Sequence, residues 1–562
     1  MGLSQRVRTV PLAAERGSIF DRNGHDLAVS LPQQTVWADP RLVRDPAGDA
    51  ALLAPVLGVP EDVIAARLAE RDKAFVYLAR KVDDETVARI EALQEGGTLA
   101  AVGLVPESAR HYPAGAVAGP LLGFVGTDNE GLGGLEYAYD DVLTGRPGEV
   151  VVEQDPRGRE IPSGDRQVQP SERGRDLVLT VDQSLQYEVE RVLVEEVAAT
   201  AARAGMAVVV DVRTGGVLAM ATVDGATEGH SARPAAPSAR NRPLTDVYEP
   251  GSTNKVITVA GAIEEGLVAP STRFEVPDSM RLADRTFRDH ERHEPQWWTV
   301  SDILRESSNV GAIQIGQLLG ATRMDGYLRA FGFGRTTGIG FPAEAAGLLL
   351  TPDQYSGSSM GTIPMGQGLA VTPMQMVEVL VTIANGGVTR PPRLVEETVG
   401  ADGRRAREPV EPGRRVVSPE TAEAVAGMLE EAVRDGTGRL AGVPGYRVAG
   451  KTGTTIKAPY DQDPPRYIAS FAGFAPADDP RLAAIVVLDE PETAYYGGQV
   501  AAPVFARIMQ YALRLDKVPP SEPASGAAPM RSPAIDARQM PPDAGAPTGG
   551  AGETAGHPAP TG

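Results

Sequence analysis

Three short polar segments, far apart in the chain, carry groups that do chemistry only if the fold brings them into one cleft. They are Ser252-Thr253-Asn254-Lys255, Ser307-Ser308-Asn309 and Lys451-Thr452-Gly453-Thr454. Ser252 follows Pro250-Gly251, a break that can precede a helix, and Val256, Ile257, Val259, Ala260 and Ile263 then form an apolar stripe closed by Gly266. The serine is therefore expected near a helix N-terminus, where backbone N–H groups favour developing negative charge. Lys255, three residues on, falls on the same helix face. A serine hydroxyl is inert until a base takes its proton, and a lysine does so when burial or a nearby cation lowers its pKa. Lys451 is the candidate cation.

Lysine is scarce here: of 54 basic residues only Lys73, Lys81, Lys255, Lys451, Lys457 and Lys517 are lysine, and two of the six lie in these segments. A guanidinium cannot give up its proton at such a site, whereas an ammonium can. Ser307 and Asn309 follow an expected short helix, Val300–Glu306, and can project a hydroxyl and a carboxamide into a cleft. Lys451-Thr452-Gly453-Thr454 follows Tyr446–Ala449, which reads as an edge strand. There a glycine admits a substrate backbone, and the lysine and threonines can hold a carboxylate. N–H groups of Ser252 and of this strand can form an oxyanion hole. Taken singly, each segment has a plainer reading: Ser252 as an ordinary N-cap, Lys255 as a surface charge, and Ser307-Ser308-Asn309 as a helix cap. Their occurrence together and in this order favours acyl transfer through a serine ester.

Rival patterns fail on context. Gly445-x-x-x-x-Gly450-Lys451-Thr452 spells a phosphate-binding loop, but Gly453-Thr454-Thr455-Ile456 is a poor helix start. Gly357-Ser358-Ser359-Met360-Gly361 spells a nucleophile elbow, yet the only later histidine is His557. Asp289, His290, Glu291, His293 and Glu294 lack helical zinc spacing, and Pro295 marks a solvated loop, so no metal or other cofactor is expected.

The chain has 562 residues, enough for two or three domains, and 42% hydrophobic residues, ample for folded cores. A net charge of −20 argues against a nucleic-acid partner. Cysteine is absent, which removes disulfides and thiol chemistry. No run approaches the roughly 18–20 apolar residues of a membrane span. Residues 1–172 read as an extended α+β module, with strand-like Gln34–Trp37 and Glu149–Glu153 and helix-like Glu61–Arg71 and Asp84–Leu93. From 173 to 515 strands and helices recur: Asp176–Val181, a long helix Gln183–Ala204, a hairpin of Ala207–Asp211 with Val217–Ala221, strands Tyr467–Ala472 and Arg481–Leu488, and a helix Val504–Leu513. Residues 516–562, rich in Pro, Gly, Ala and Ser, read as a disordered tail.

With these residues in hand, the chain resembles a class B penicillin-binding protein, a peptidoglycan D,D-transpeptidase, over nearly everything up to residue 515. Arg16-Gly-Ser-Ile-Phe-Asp-Arg-Asn-Gly24 resembles the segment just after the membrane anchor in the family, and Tyr112-Pro, Gly123-Phe-Val-Gly and Gly134-Leu-Glu136 are similar to its pedestal module. Met365 to Gln375 and Ala384-Asn-Gly-Gly387 resemble its transpeptidase loops. Glu249-Pro-Gly-Ser-Thr and Tyr495 to Phe505 look more like the cell-division (FtsI-like) branch than the elongation branch. The resemblance implies an α+β chain: a pedestal or dimerisation domain at 1–172, then at 173–515 a β-lactamase-like transpeptidase domain with an antiparallel sheet flanked by helices. It implies Ser252 as nucleophile, Lys255 as base, Ser307 as proton relay and Asn309 as peptide holder, with Lys451, Thr452 and Thr454 on the substrate carboxylate and Gly453 giving the substrate backbone room.

Peptidoglycan stem peptides are the implied substrates, with β-lactams as covalent inhibitors. A polytopic glycan polymerase and divisome membrane proteins are the implied partners. The family also implies a single-pass anchor preceding residue 1 and a place on the outer face of the cell membrane. A D,D-carboxypeptidase, an elongation-type transpeptidase and a non-catalytic penicillin-binding scaffold remain as alternatives. A class A β-lactamase is disfavoured because Glu-x-x-Leu-Asn is missing between residues 310 and 450.

Overall fold

The computed structural model describes residues 7–12, 14–95, 98–153, 166–225, 236–237 and 240–521. The expected disordered tail lies, from residue 522 onward, outside the described residues. Before that point Val518 is buried, and the Tyr446 hydroxyl donates to its carbonyl at 2.7 Å.

The C-terminal half is built on a six-stranded antiparallel sheet in the order Ala236–Pro237, Val217–Asp224, Ala204–Asp211, Leu482–Asp489, Tyr467–Ala475 and Ala449–Ile456. The two central strands are buried at every position, because both faces of the sheet are covered. That is why they read as continuous apolar runs rather than alternating ones. Val208 and Val210 join Ile485 and Val487 in the larger core with helices Lys255–Glu264 and Pro373–Ala384. Ala207 and Val209 join Ala484 and Val486 on the opposite face, under helices Gln183–Thr200 and Gly497–Leu515. The long helix starts where expected because Asp182 caps it, accepting from the N–H groups of Ser184 and Leu185, both at 3.0 Å.

The N-terminal module shares a second sheet with this half. Its strand Ile19–Phe20 pairs in parallel with Asp176–Leu179, which in turn pairs antiparallel with Val395–Val399. The expected Gln34–Trp37 lies inside a thirteen-residue strand, Asp26–Ala38, flanked by Val76–Val82 and Val102–His111. Helices Glu61–Leu68 and Asp84–Glu95 form close to where they were expected. A further helix, Pro46–Leu57, has no counterpart in the sequence reading. Its Pro46 and Gly48 look like breakers, but Pro46 occupies the first turn and Asp45 accepts from the Gly48 N–H at 3.0 Å.

The separate pedestal segments meet at one buried cluster. Arg16 Nε donates to Glu136 Oε2 at 2.7 Å and Arg110 Nε to Glu136 Oε1 at 2.6 Å, while Arg16 also reaches Asp140 and the Asn129 and Glu136 carbonyls. The Tyr112 hydroxyl donates to Glu136 Oε1 at 3.4 Å.

Candidate active site

The first motif opens as a 3₁₀ turn, Gly251–Asn254, running directly into the α-helix Lys255–Glu264. Its middle residues fasten the turn: Thr253 Oγ1 donates to the Pro250 carbonyl and Asn254 Nδ2 to the Ile363 carbonyl, both at 2.8 Å. Ser252 is part-exposed, and among the described residues its hydroxyl has no hydrogen-bond partner. It makes no capping bond, and Lys255 is wholly buried rather than a surface charge. Both plainer readings of this segment therefore fail.

Lys255 Nζ donates to the Ser307 carbonyl at 2.5 Å, to Asn309 Oδ1 at 2.8 Å and, more loosely, to Ser307 Oγ at 3.4 Å. The second motif divides its labour. Ser308 is the helix cap, accepting from the Gly311 N–H at 2.9 Å, while its neighbours Ser307 and Asn309 face the lysine. Ser307 takes a left-handed φ of 62°, a strained conformation for a non-glycine residue.

The third motif lies within the edge strand Ala449–Ile456, not after a strand ending at Ala449 as expected. No helix follows the lysine, so the phosphate-loop pattern is a coincidence of spelling. Alternation along the strand separates its side chains. Thr452 Oγ1 lies 2.9 Å from Thr437 Oγ1, and Thr454 Oγ1 accepts from the Gly497 N–H at 3.0 Å. Gly453 faces the first motif: a Cβ there would lie 2.3 Å from Ser470 Oγ and 3.0 Å from the Pro250 carbonyl oxygen. Its glycine is thus required by packing of the strand on the serine turn, before any substrate arrives.

Lys451 is fully buried, its Nζ 3.3 Å from Thr452 Oγ1. Burial lowers its pKa to about 7 against the opposing pull of Glu306. Lys255 is held well below the ordinary lysine value, first by burial and then by the charge of Lys451, with Asp289 acting the other way. The cation expected beside Lys255 is therefore Lys451. Of the residues expected on the substrate carboxylate, Lys451 and Thr452 are buried and Thr454 is part-exposed.

Several residues around the cleft escaped the sequence reading. Asp289, assigned to a solvated loop, has a buried side chain that accepts from the Asn309 N–H at 2.5 Å, the Val310 N–H at 2.9 Å and Ser308 Oγ at 2.7 Å. The loop does lie between strands, Arg285–Arg288 and Gln296–Thr299, as Pro295 suggested. His290 packs edge-on against Tyr496 with ring centroids 4.8 Å apart, and Tyr496 leads through Tyr495 to Tyr467 in a continuous aromatic row. Gly366 touches the serine turn directly: its carbonyl accepts from the Gly251 N–H at 2.9 Å. The elbow pattern at 357–361 leads only into a four-residue helix, Ser359–Thr362, with no strand before it.

Known proteins match along almost the whole chain. Residues 205–510 match the penicillin binding protein transpeptidase domain, and residues 11–179 the penicillin-binding protein dimerisation domain. The peptidoglycan D,D-transpeptidase FtsI of Escherichia coli is 36% identical over 535 residues, covering 93% of this chain and 88% of that protein. PbpB of Mycobacterium tuberculosis is 35% identical over 90% of this chain and 78% of its own length. Among solved structures, penicillin binding protein 3 from Mycobacterium tuberculosis complexed with aztreonam superposes with a TM-score of 0.70 at 31% identity, covering 92% of this chain and 99% of that one. A peptidoglycan synthetase from Bifidobacterium adolescentis gives 0.75 at 29% identity, over 94% and 100%. The two domain matches, the full-length relatives and the meeting of all three motifs in one cleft leave one assignment: the chain belongs to the class B penicillin-binding proteins, in the FtsI-like branch.

Proposed function

We propose that this protein is a serine peptidoglycan D,D-transpeptidase that cross-links stem peptides at the division septum and is acylated by β-lactams. The observation that carries the reading is a solvent-reachable serine one helical turn from a buried lysine whose pKa is depressed, in a chain so closely similar to FtsI. Lys255 takes the proton of Ser252 as Oγ attacks the carbonyl carbon of the penultimate D-alanine, with the oxyanion held by the N–H groups of Ser252 and Thr454. Ser307 passes a proton to the departing nitrogen, and the C–N bond breaks to release D-alanine. The amine of a second stem peptide then attacks the ester, forming the cross-link and returning the proton to Ser252.

Asn309 and the free side of the edge strand Ala449–Ile456 hold the peptide, which adds to the strand through main-chain hydrogen bonds. Thr452 and Thr454 bind its terminal carboxylate. Among the described residues no helix is long and apolar enough to cross a membrane. By kinship with FtsI we place the enzyme at the outer face of the cell membrane. Its assembly with a glycan polymerase and divisome proteins through the N-terminal module follows from the same kinship.

Mass spectrometry after penicillin treatment tests the reading. One covalent adduct on Ser252 is expected, and an unmodified Ser252 would refute it. Product analysis with an added amine acceptor then separates transpeptidation from the carboxypeptidase alternative, in which water alone takes the acyl group. A second prediction concerns Gly366, where φ is 83° and a Cβ would lie 2.0 Å from the Gly251 carbonyl oxygen. Gly366→Ala should displace the turn bearing Ser252 and slow acylation about tenfold to a hundredfold. An acylation rate within twofold of the unmutated protein would show that the turn absorbs the methyl group.

A further inference from the structure

We infer that Asp289 is a positioning residue for the acylation step, and that with His293 it forms a charged pair that sets both where Asn309 stands and how basic Lys255 is. The inference rests on the transpeptidase reading above.

Geometry carries the first half. The buried carboxylate accepts two consecutive N–H groups at the start of the helix Asn309–Leu319: Asn309 and Val310, both on Oδ1. It takes the Ser308 hydroxyl on Oδ2. Ser308, so held, caps the same helix. Within the second motif the Asn309 N–H and the Ser308 hydroxyl thus both end on Asp289, next to the strained φ of Ser307, while the Ser308 N–H is held by the Ile303 carbonyl at 3.0 Å. This matters for the lysine. A neutral amine has two N–H donors and one lone pair, and the two short bonds from Lys255, to the Ser307 carbonyl and Asn309 Oδ1, use both donors. The lone pair is then free for Ser252. If Asn309 moves, one of those two donors loses its acceptor and the amine is free to turn.

Charge carries the second half. His293 Nδ1 faces the Glu294 carbonyl at 2.9 Å and Nε2 faces Asp289 Oδ2 at 3.2 Å. Both partners only accept, so the geometry calls for a proton on each nitrogen and a cationic ring. The His293 pKa is raised accordingly: burial opposes the shift, and the Glu294 carbonyl and Asp289 outweigh it. The ring also rests against Trp298, centroids 4.7 Å apart. The charged groups bearing on Lys255 are then Lys451 from the edge strand and Asp289 from this loop. Glu306 acts on Lys451, and His293 and Asp278 complete the set on the loop side. Lys451 lowers the basicity of Lys255, Asp289 raises it, and His293 offsets part of what Asp289 does.

Two variants read this in opposite directions. In Asp289→Asn the carboxylate charge is lost, so Lys255 gives up its proton more readily. The acid limb of the penicillin acylation rate should move to lower pH, while the rate itself falls about tenfold, because the amide oxygen can still accept from Asn309 and Val310 but the acceptor of the Ser308 hydroxyl and His293 is lost. In His293→Gln an amide can still donate to Asp289 but carries no charge. The carboxylate then acts undiminished, and the limb should move to higher pH. A merely structural role for Asp289 would lower the rate without moving either limb. Limbs coinciding with that of the unmutated protein in both variants overturn the inference, whatever the loss of rate. If Asp289→Asn does not fold, the His293→Gln limb alone decides. Failure of the transpeptidase reading is distinct, since it would appear as absence of an adduct in the unmutated protein.

Discussion

Lys255→Arg should slow acylation of Ser252 by penicillin about a thousandfold, within the range that loss of a general base produces. Arginine keeps the positive charge and the donors but cannot surrender a proton, so it separates a base from a mere cation. The lysine is completely buried, and its ammonium is disfavoured first by burial and then by Lys451. Its neutral form is accordingly populated far below pH 10.5, the ordinary value. The acylation rate of the unmutated protein should rise with pH along a limb well below that value and then level off. Overpacking by the larger guanidinium is a competing cause of loss, and Lys255→Met controls for it with an unbranched, uncharged side chain. Both variants should lose the step alike, measured by stopped-flow with a fluorescent penicillin. An arginine variant within tenfold of the unmutated rate would remove Lys255 from the role of base and shift attention to Lys451, whose pKa is also lowered, to about 7.

What the sequence discloses and what it hides follow the range of the interactions involved. The serine helix was legible because its signal is local: a Pro-Gly break, a stripe at helical spacing and a closing glycine. The central strands were legible because both faces are buried and the apolar run is unbroken. The motif strand was misplaced for the converse reason. Gly450 and Gly453 break up the strand signal of its threonines, and Ala449–Ile456 is held by pairing with Tyr467–Ala475 across the sheet. Asp289 was hidden because its partners lie on another element and no periodicity links them. The same holds for Lys451: its place in the cleft could be read, but that its amine is shut away from solvent could not. At Gly453 the fold adds a packing reason that the sequence did not disclose, since a Cβ there would meet Ser470 and Pro250.

Glu136→Ala should be the most destabilising single change in the N-terminal module, by about 3–5 kcal/mol, the usual result of removing one partner from a buried ion pair. Glu136 is fully buried and serves two guanidinium groups from different strands of sequence, Arg16 on Oε2 and Arg110 on Oε1, each with only 2% of its side chain exposed. Truncation leaves both cations without that carboxylate in a place that water does not reach. Arg16 keeps Asp140, with which it makes a 2.6 Å ion pair, and three further acceptors. Arg110 keeps only the Gly17 carbonyl at 2.7 Å and the more distant Ser30 hydroxyl, and its Nη2 already has no partner. Most of the penalty should therefore come from Arg110. Adding Arg110→Met to Glu136→Ala should recover a large part of the loss, because the second change removes the stranded charge rather than another contact. The measurement is the denaturant midpoint of the protein's unfolding transition in the single and double variants. Strict additivity of the two losses would mean that Glu136 acts through packing alone. Recovery in the double variant would establish that three sequence segments as distant as Arg16, Arg110 and Glu136 are locked together by one shared carboxylate.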